Sequence, residues 1–320
     1  MIRLLATLAL LLAAAAVAAE VQPLNPPRLP PDLPADWTAA PTIPLWPEGA
    51  LPAIAPRAAV HASNWPASFI RNVASPYLKL FRPTRPNGRA ILIMPGGAYI
   101  FVSVANEGVD VARRFADMGY MAYVLVYRLP GEGWPDKADV PLTDAQRAMR
   151  VIRGRARTDG VDPAHVAVVG FSAGGHLAAS LATDFAAPLY RPVDRADRLS
   201  ARPDAVGLLY AVVTLDKRKT NSASRVSLLG ETPDEAMVER RSPELHAGPT
   251  TPPVFLVHAI DDRTVPVENS LMMLAAMRAA KRPVEAHLLT EGGHGFGTGF
   301  RDTSSALWPE QFDAWLRRLP

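Results

Sequence analysis

The sequence predicts an α/β protein with a mostly parallel, doubly wound sheet flanked by helices. Short apolar runs recur along the chain without alternating polar residues, as in strands that are covered on both faces. Helical patterns with one apolar face separate these runs, so strands and helices alternate as in βαβ units. The polar residues that stand out come directly after strands, which is the edge where open α/β sheets place their sites.

The strands of this sheet are predicted from apolar composition and from the turn residues that bound each run. An edge strand or hairpin arm is expected at residues 71–81. Further strands are expected at residues 90–94, 120–127, 166–169, 204–213, 253–259 and 284–289, and those at 90–94 and 166–169 are expected to be buried. Residues 214–251 form a longer polar stretch, long enough for a small cap or lid over the sheet edge.

Helices are predicted between these strands, at residues 106–118, after residue 172, at 267–281 and at 307–319. A further helix is expected to begin at Asp144, as its cap, and to continue to Ala156. The other face of this helix carries arginines, and we expect a solvated face there. These arginines are Arg147, Arg150, Arg153 and Arg155.

The chain is expected to have three parts. Residues 1–19 predict an export signal, with Arg3 as the positive start, an apolar run too short to span a bilayer, and the small-x-small cleavage site Ala16-Val-Ala18. Prolines are dense from residue 20 to 56, which excludes a helix or central strand, and residues 20–42 are assigned as a linker. Residues 43–320 form the α/β domain. We expect a bacterial periplasmic or secreted protein with no membrane attachment after cleavage.

Composition excludes several function classes. The formal net charge of +3 and the absence of a Lys/Arg-rich run give no support for nucleic-acid binding. The chain has no cysteine, which excludes a disulfide framework, a thiolate metal site and a cysteine nucleophile. No metal-binding motif or histidine cluster occurs, and no cofactor is expected. The sequence leaves the oligomeric state open.

The strongest local signal is Gly170-Phe-Ser-Ala-Gly174, which follows a predicted buried strand and precedes an alanine-rich helix. In a nucleophile elbow, a serine sits on a strained turn between strand and helix, and glycines flank it because the two elements close on each other there. The pattern alone is weak, since a surface turn can contain the same residues. Its position between strand and helix predicts Ser172 as a nucleophile.

A serine nucleophile needs a histidine base and an acid that orients the histidine. In this type of sheet the chain order is serine, acid, histidine. His294 is the strand-end histidine that follows Ser172, and Asp261 and Asp262 are the strand-end acids between them. The pattern D-x-x-V-P favours Asp262 as the acid, with Asp261 as the alternative or as a backbone hydrogen-bond partner.

Acyl transfer also needs hydrogen-bond donors aimed at the developing oxyanion. The backbone N–H of Ala173 is one candidate, because it follows the nucleophile. The loop Pro95-Gly-Gly-Ala98 follows the strand at residues 90–94, and Gly97 and Ala98 are predicted to supply the other N–H groups.

These motifs together resemble the α/β-hydrolase esterase/lipase superfamily, and most closely the exported acetylesterases often labelled acetylxylan esterase or xylanase-like. The matching motifs are Pro44-Leu-Trp-Pro47, Pro95-Gly-Gly-Ala-Tyr99, Asp144-Ala-Gln-Arg-Ala148, Gly170-Phe-Ser-Ala-Gly-Gly-His176, Asp261-Asp-Arg-Thr-Val-Pro-Val-Glu-Asn-Ser270 and Gly292-Gly-His-Gly-Phe-Gly297. The resemblance implies an α/β-hydrolase that removes acetyl groups from plant cell-wall polysaccharide or its fragments. A third glycine is more usual at Ala98, and the Cβ of Ala98 is expected to narrow the acyl site in favour of acetyl.

Three further residues are candidate substrate contacts: Tyr99, His176 and Trp134. Trp134 would stack on a sugar, although a buried or rim tryptophan is the commoner role. His176 lies one turn into the helix after Ser172 and would shape the pocket or the helix packing. Two alternative functions remain at this point: another small-ester hydrolase or exopeptidase of the same fold, and a non-catalytic binding protein.

Overall fold

The computed structural model of the protein describes residues 32–51 and 65–319. The predicted export signal at residues 1–19 and the first half of the predicted linker lie outside the described residues.

One large sheet organises the described chain. Its strand order is β1-β3-β6-β4-β7-β8-β9-β10, and β2 pairs with β5 in a separate two-stranded ribbon. The pairs β1–β3 and β3–β6 are antiparallel, and all pairs from β6 to β10 are parallel. The strands are β1 Thr42–Pro44, β2 Phe69–Ile70, β3 Tyr77–Phe81, β4 Ala90–Met94, β5 Val102–Ser103, β6 Met121–Val126, β7 Val166–Phe171, β8 Val206–Leu209, β9 Val254–Ala259 and β10 Val284–Leu289.

Helices cover both faces of this sheet. Phe115 of α2 contacts Trp308 and Phe312 of α8, so these two helices share one face. The crossovers containing α3, α4 and α7 run in the opposite direction along the sheet, and right-handed connections therefore place them on the other face. The helices are α1 Ala35–Ala39, α2 Asp110–Asp117, α3 Val140–Asp159, α4 Ser172–Asp184, α5 Ser222–Leu229, α6 Glu235–Arg240, α7 Glu268–Ala279 and α8 Trp308–Leu316.

The predicted α/β class with a mostly parallel, doubly wound sheet is confirmed. The central strands β4, β6 and β7 are buried along their whole length, which is why their sequences are apolar without alternation. Strands β4 and β7 run parallel, but the connections that follow them move in opposite directions across the sheet, from β4 to β6 and from β7 to β8. The register pairs Met94 with Gly170, so the loops after these two strands begin side by side.

The N-terminal part of the domain differs from the prediction. A short helix, α1, lies inside the region where prolines were expected to exclude one. Its Trp37 is buried against the domain and Lys79 of β3 lies over the indole ring. Burial of a large apolar side chain contributes about 2 kcal/mol or more, which is enough to fix a one-turn helix that proline alone disfavours. Ordered contact with the domain thus begins before residue 43.

Helix α3 begins four residues earlier than predicted, and Asp144 is inside it instead of capping it. The carboxylate of Asp144 is fully buried and accepts hydrogen bonds from the Arg128 guanidinium, the Arg128 backbone N–H and the Trp46 indole. Asp144 therefore ties the loop after β6 and the N-terminal segment to α3.

The arginine face of α3 was also predicted wrongly. Arg147 is only 3% exposed and binds Asp194 and Asp197, and Arg153 binds Asp204. The sequence pattern could not reveal this, because the acidic partners come from a loop some 50 positions further along the chain.

Residues 214–251 lie between β8 and β9 and contain α5 and α6. Arg241, near the end of this segment, binds Asp139 at the start of α3 and Asp184 at the end of α4. The segment is thus anchored to the helical layer over the sheet. Among the described residues, no helix combines the length and apolar character needed to cross a bilayer.

Candidate active site

The turn after β7 has the geometry of a nucleophile elbow. Ser172 has φ of +52°, a conformation that is strained for a residue with a Cβ. A Cβ on Gly174 would lie 2.1 Å from the Met94 carbonyl oxygen, and one on Gly170 would lie 2.3 Å from the Gly174 carbonyl oxygen. The two flanking glycines are therefore required because strand β7, strand β4 and helix α4 approach too closely for a side chain.

Three predicted residues come together at the carboxyl edge of the sheet. Ser172 follows β7, Asp262 follows β9 and His294 follows β10. The Nε2 atom of His294 lies 2.9 Å from Ser172 Oγ, and Nδ1 lies 2.7 Å from Asp262 Oδ2. In the neutral imidazole, Nδ1–H then donates to the carboxylate and Nε2 accepts the serine proton.

The two adjacent aspartates have different surroundings. Asp262 is buried, and its Oδ1 accepts the backbone N–H groups of Thr264 and Val265 at 2.8 and 2.9 Å. Asp261 is exposed, and its Oδ1 accepts the N–H of Gly293 at 2.8 Å. Asp261 therefore fastens the loop that carries His294, whereas Asp262 contacts the imidazole itself.

A second histidine supports Asp262. His258 is fully buried in β9, and its Nε2 lies 3.0 Å from the Val265 carbonyl and 3.3 Å from Asp262 Oδ2. Two acceptors at Nε2 place the proton there, and Nδ1 accepts from Ser270 Oγ at 2.8 Å. Burial raises the pKa of Asp262, but hydrogen bonds from His258, His294 and Val265 outweigh it and lower the pKa to about 2. The carboxylate is therefore ionised at neutral pH.

The loop after β4 presents backbone donors to the same point. Among the described residues, no carbonyl or side chain accepts a hydrogen bond from the N–H of Gly97 or Ala98. Ala173 is in the first turn of α4, where backbone N–H groups have no partner within the helix. Gly97 has φ of +128°, and a Cβ there would lie 2.1 Å from the Phe101 carbonyl oxygen. Only glycine therefore fits at position 97.

Ser172 and His294 open into a cavity of about 370 Å³, which is in the range of small-molecule sites. One side of the cavity is apolar and includes the stacked rings of Phe69 and Phe101. Polar side chains in the lining include Asn221, the residue before α5, and Thr264 from the loop after β9. The remaining lining residues are Gly97, Ala98, Ser103, Asn106, Glu107, Ala223 and Gly295.

The structure does not bring Tyr99 or His176 to the surface of this cavity. Both side chains are buried, and the Tyr99 hydroxyl lies 2.8 Å from His176 Nδ1. His176 Nε2 lies 2.8 Å from the Arg241 carbonyl, and burial lowers the pKa of His176 to about 4. A neutral His176 therefore links the loop after β4 and helix α4 to the segment between β8 and β9. The two residues are packing contacts beneath the site, because this position leaves them no open face.

Trp134 also lies away from the predicted site. It is 5% exposed, and the Arg128 guanidinium lies 4.8 Å from its ring centroid. It lines a separate cavity of about 510 Å³ with Trp46, whose lining includes none of the three residues Ser172, Asp262 and His294. Trp134 therefore does not line the cavity at Ser172, and the expectation that it stacks there on a substrate sugar is not met.

Sequence reasoning missed three residues of the site. His258 precedes Asp262 by four positions, and its location inside a predicted strand hid its contact with the acid. Glu107 lines the cavity, and the Tyr210 hydroxyl donates a hydrogen bond to its Oε1 at 2.9 Å. A glutamate within an apolar helical face, such as Glu107, was the one local signal that could have identified a buried functional carboxylate.

Comparison with known proteins identifies the family and the type of fold. Residues 78–277 match the model of the BD-FAE family. The crystal structure of an acetyl ester-xyloside bifunctional hydrolase from Caldicellulosiruptor lactoaceticus is similar, with 31% identity and a TM-score of 0.74 over 87% of this chain and 96% of that one.

Two curated relatives are similar over shorter shares of their length. An acetylxylan esterase of Xylanibacter ruminicola is 30% identical over 75% of this chain and 48% of its own length. An endo-1,4-beta-xylanase B of Butyrivibrio fibrisolvens is 35% identical over 64% of this chain and 32% of its own length. This chain thus spans half or less of each of these two relatives. Since the family match covers more than half of the chain, and the fold is that of esterases, the chain belongs to the BD-FAE family of α/β-hydrolases.

Proposed function

We propose that this protein is a carboxylic ester hydrolase that removes acetyl groups from plant cell-wall oligosaccharides or polysaccharides, with Ser172, His294 and Asp262 as the catalytic triad. The observation that carries the proposal is the continuous chain of contacts from Ser172 Oγ through His294 to Asp262, at 2.9 and 2.7 Å. A binding protein has no need of a strained serine beside a base and unpaired N–H groups.

The proposed mechanism has two half-reactions. His294 Nε2 takes the proton of Ser172 as Oγ attacks the acetyl carbonyl, and the oxyanion forms beside the N–H groups of Gly97, Ala98 and Ala173. The imidazolium of His294 then protonates the departing sugar oxygen, which leaves an acetyl-serine. Water attacks this ester as His294 Nε2 takes one of its protons, and the resulting imidazolium then returns a proton to Ser172 Oγ as the acyl bond breaks and acetate departs. Asp262 stabilises the imidazolium in both halves.

The sugar part of the proposal rests on the relatives and on the cavity. The relatives named acetylxylan esterase, endo-1,4-beta-xylanase B and acetyl ester-xyloside bifunctional hydrolase are, by name, enzymes of xylan or xylosides. The cavity volume of about 370 Å³ is larger than an acetyl group requires and leaves room for an attached sugar ring. We also propose export by residues 1–19, which would place the enzyme with such polymers; a mature N-terminus after Ala18 or Ala19 is the test of that step.

The proposal is tested by acetate release from acetylated xylan, xyloglucan and pectin fragments, measured side by side with 4-nitrophenyl acetate. We expect release to be fastest from acetylated xylan fragments. Turnover of 4-nitrophenyl acetate without acetate release from any of the carbohydrates would reject the carbohydrate substrate and indicate a general small-ester hydrolase. No turnover of any ester would reject the esterase function as a whole.

Ala98 is expected to restrict the acyl group. It lines the cavity and has φ of +53°, so a glycine at this position keeps the backbone conformation without strain. We expect the wild-type enzyme to prefer 4-nitrophenyl acetate to the butyrate. Ala98→Gly should raise the butyrate-to-acetate ratio of kcat/KM by about tenfold, at the lower end of what a one-methylene change in a pocket produces.

The esters from acetate to octanoate, compared in both enzymes under the same conditions, measure this effect. An unchanged ratio in Ala98→Gly would show that the Cβ of Ala98 does not limit the acyl chain. A wild-type optimum at octanoate would contradict the acetyl preference itself.

A further inference from the structure

A buried carboxylate outside the triad joins the loop that carries the oxyanion donors to the loop that carries His294. We propose that Glu107 is a positioning residue for the esterase reaction: it holds Gly96 directly and the His294 loop through Tyr210, and so fixes the distance between the oxyanion donors and the base. The inference rests on the proposed function, and the experiment below separates the failure of one from the failure of the other.

Glu107 lies in a π-helical turn, Ala105–Val109, just before α2. Turns of this type are uncommon and occur frequently at functional sites. The side chain is 5% exposed, and its Oε2 accepts the N–H of Gly96 at 2.7 Å. Gly96 directly precedes the proposed donors Gly97 and Ala98, and a Cβ on it would lie 2.9 Å from Ser172 Cβ. Glu107 therefore holds the oxyanion loop where it touches the nucleophile.

The second oxygen of Glu107 reaches the other side of the site. Oε1 accepts the Tyr210 hydroxyl at 2.9 Å, and the same hydroxyl oxygen accepts the N–H of Gly297 at 3.0 Å. The Tyr210 ring packs edge-on against the His294 imidazole with 4.9 Å between centroids. Gly297 is held in turn by the Trp308 indole, which donates to its carbonyl at 3.0 Å.

Tyr210 is itself held in a strained conformation. It follows β8 with φ of +36°, which few residues other than glycine adopt. Backbone strain of this kind persists only where the surroundings fix it, and it concentrates at functional sites. The contacts of its hydroxyl with Glu107 and Gly297 supply part of that fixation.

Both oxygens of Glu107 accept hydrogen bonds, one from an N–H group and one from an O–H group. A glutamine keeps only one acceptor oxygen. With that oxygen on Gly96, its NH₂ group faces the Tyr210 hydroxyl, which must then turn and accept, so the Tyr210 proton loses its acceptor. Burial raises the pKa of Glu107 above its usual value, and the hydrogen bonds from Gly96 and Tyr210 and the nearby His294 offset only part of that rise.

The test is Glu107→Gln in the full chain. We expect kcat for 4-nitrophenyl acetate to fall about 10- to 100-fold with KM changed less than about threefold, because an oxyanion donor acts mainly in the transition state. The affinity of a trifluoromethyl ketone, which forms a tetrahedral adduct with the serine, should fall by the same factor as kcat/KM. A merely structural defect would not link these two quantities.

Hydrogen–deuterium exchange gives a readout that does not depend on activity. Glu107→Gln should increase exchange in peptides covering residues 95–101 and 292–298 together, whereas Tyr210→Phe, which keeps the ring, should affect mainly the second peptide. The matched control is Glu132→Gln, since Glu132 also accepts two backbone N–H groups, from Asn72 and Val73, but does not line the cavity. Its activity should be that of the wild type.

Unchanged exchange in both loops of Glu107→Gln would overturn the inference, whatever the esterase activity. Wild-type kcat and ketone affinity in this variant would overturn it as well, provided that the wild type is active. If Glu107→Gln does not fold, Tyr210→Phe carries the test, because loss of its hydroxyl breaks the link to the His294 loop and leaves the packing intact. A wild type without any esterase activity, but with the expected exchange pattern, would reject the proposed function and leave the link between the loops standing.

Discussion

Ser172→Ala is expected to lower kcat/KM for 4-nitrophenyl acetate by at least about 10⁴-fold, because removal of the nucleophile leaves only the binding and oxyanion groups. The fold should be retained. Ser172 Oγ contacts His294 and is at the surface of the cavity, so the loss of one hydroxyl creates no buried unpaired donor in the core. The substitution also leaves φ of +52° at this position, a strain that alanine tolerates no worse than serine.

A matched control lies in the same helix. Ser180 is two turns further along α4 and is buried, and its hydroxyl has no hydrogen-bond partner among the described residues. Ser180→Ala should keep wild-type kcat, and both variants should unfold within a few degrees of the wild type. Labelling by a fluorophosphonate should disappear in Ser172→Ala and persist in Ser180→Ala. Substantial turnover by Ser172→Ala would contradict the serine mechanism.

The parallel strands could be predicted because their burial leaves a local signature. The strand at residues 90–94 was predicted with its observed bounds, and residues 253–259 and 284–289 match β9 and β10 to within one residue. Both faces of β4 and β9 are covered, so their sequences are dominated by apolar residues, whereas the edge strand β10 is only partly buried and carries Glu285 and His287. The turn around Ser172 could also be predicted, because nearby backbone atoms leave no room for a Cβ at Gly170 or Gly174 and the sequence therefore carries glycines there.

Contacts between distant parts of the chain could not be predicted in this way. Asp144 looks like a helix cap in the sequence, but its partners Arg128 and Trp46 come from other segments. Arg147 looks like a surface residue for the same reason, and Trp134 faces Arg128 instead of the cavity. Each error concerns a polar or aromatic side chain whose environment is set by tertiary pairing and not by local periodicity.

The second large effect on kcat is expected from substitution of the triad acid, which distinguishes Asp262 from the adjacent Asp261. Asp262→Asn is expected to lower kcat by about 10⁴-fold, because an amide cannot hold the imidazole in the required tautomer. Oδ1 of Asp262 is committed to the N–H groups of Thr264 and Val265, so in the variant the acceptor oxygen stays there and the NH₂ group faces His294. Nδ1 must then accept, and the proton moves to Nε2, where it blocks transfer from Ser172.

Asp261→Asn is the matched control, with the same change of charge one residue away. The asparagine oxygen can still accept the N–H of Gly293, so we expect kcat within about fivefold of the wild type. Both variants are compared with 4-nitrophenyl acetate at pH 8, with thermal unfolding measured in parallel. A larger fall in kcat in Asp261→Asn than in Asp262→Asn would reverse the assignment of the triad acid. An equal fall in kcat in the two variants would indicate that the imidazole tautomer is not the main determinant of the rate. The position of the His294 loop, which both aspartates fix, would then be the larger factor.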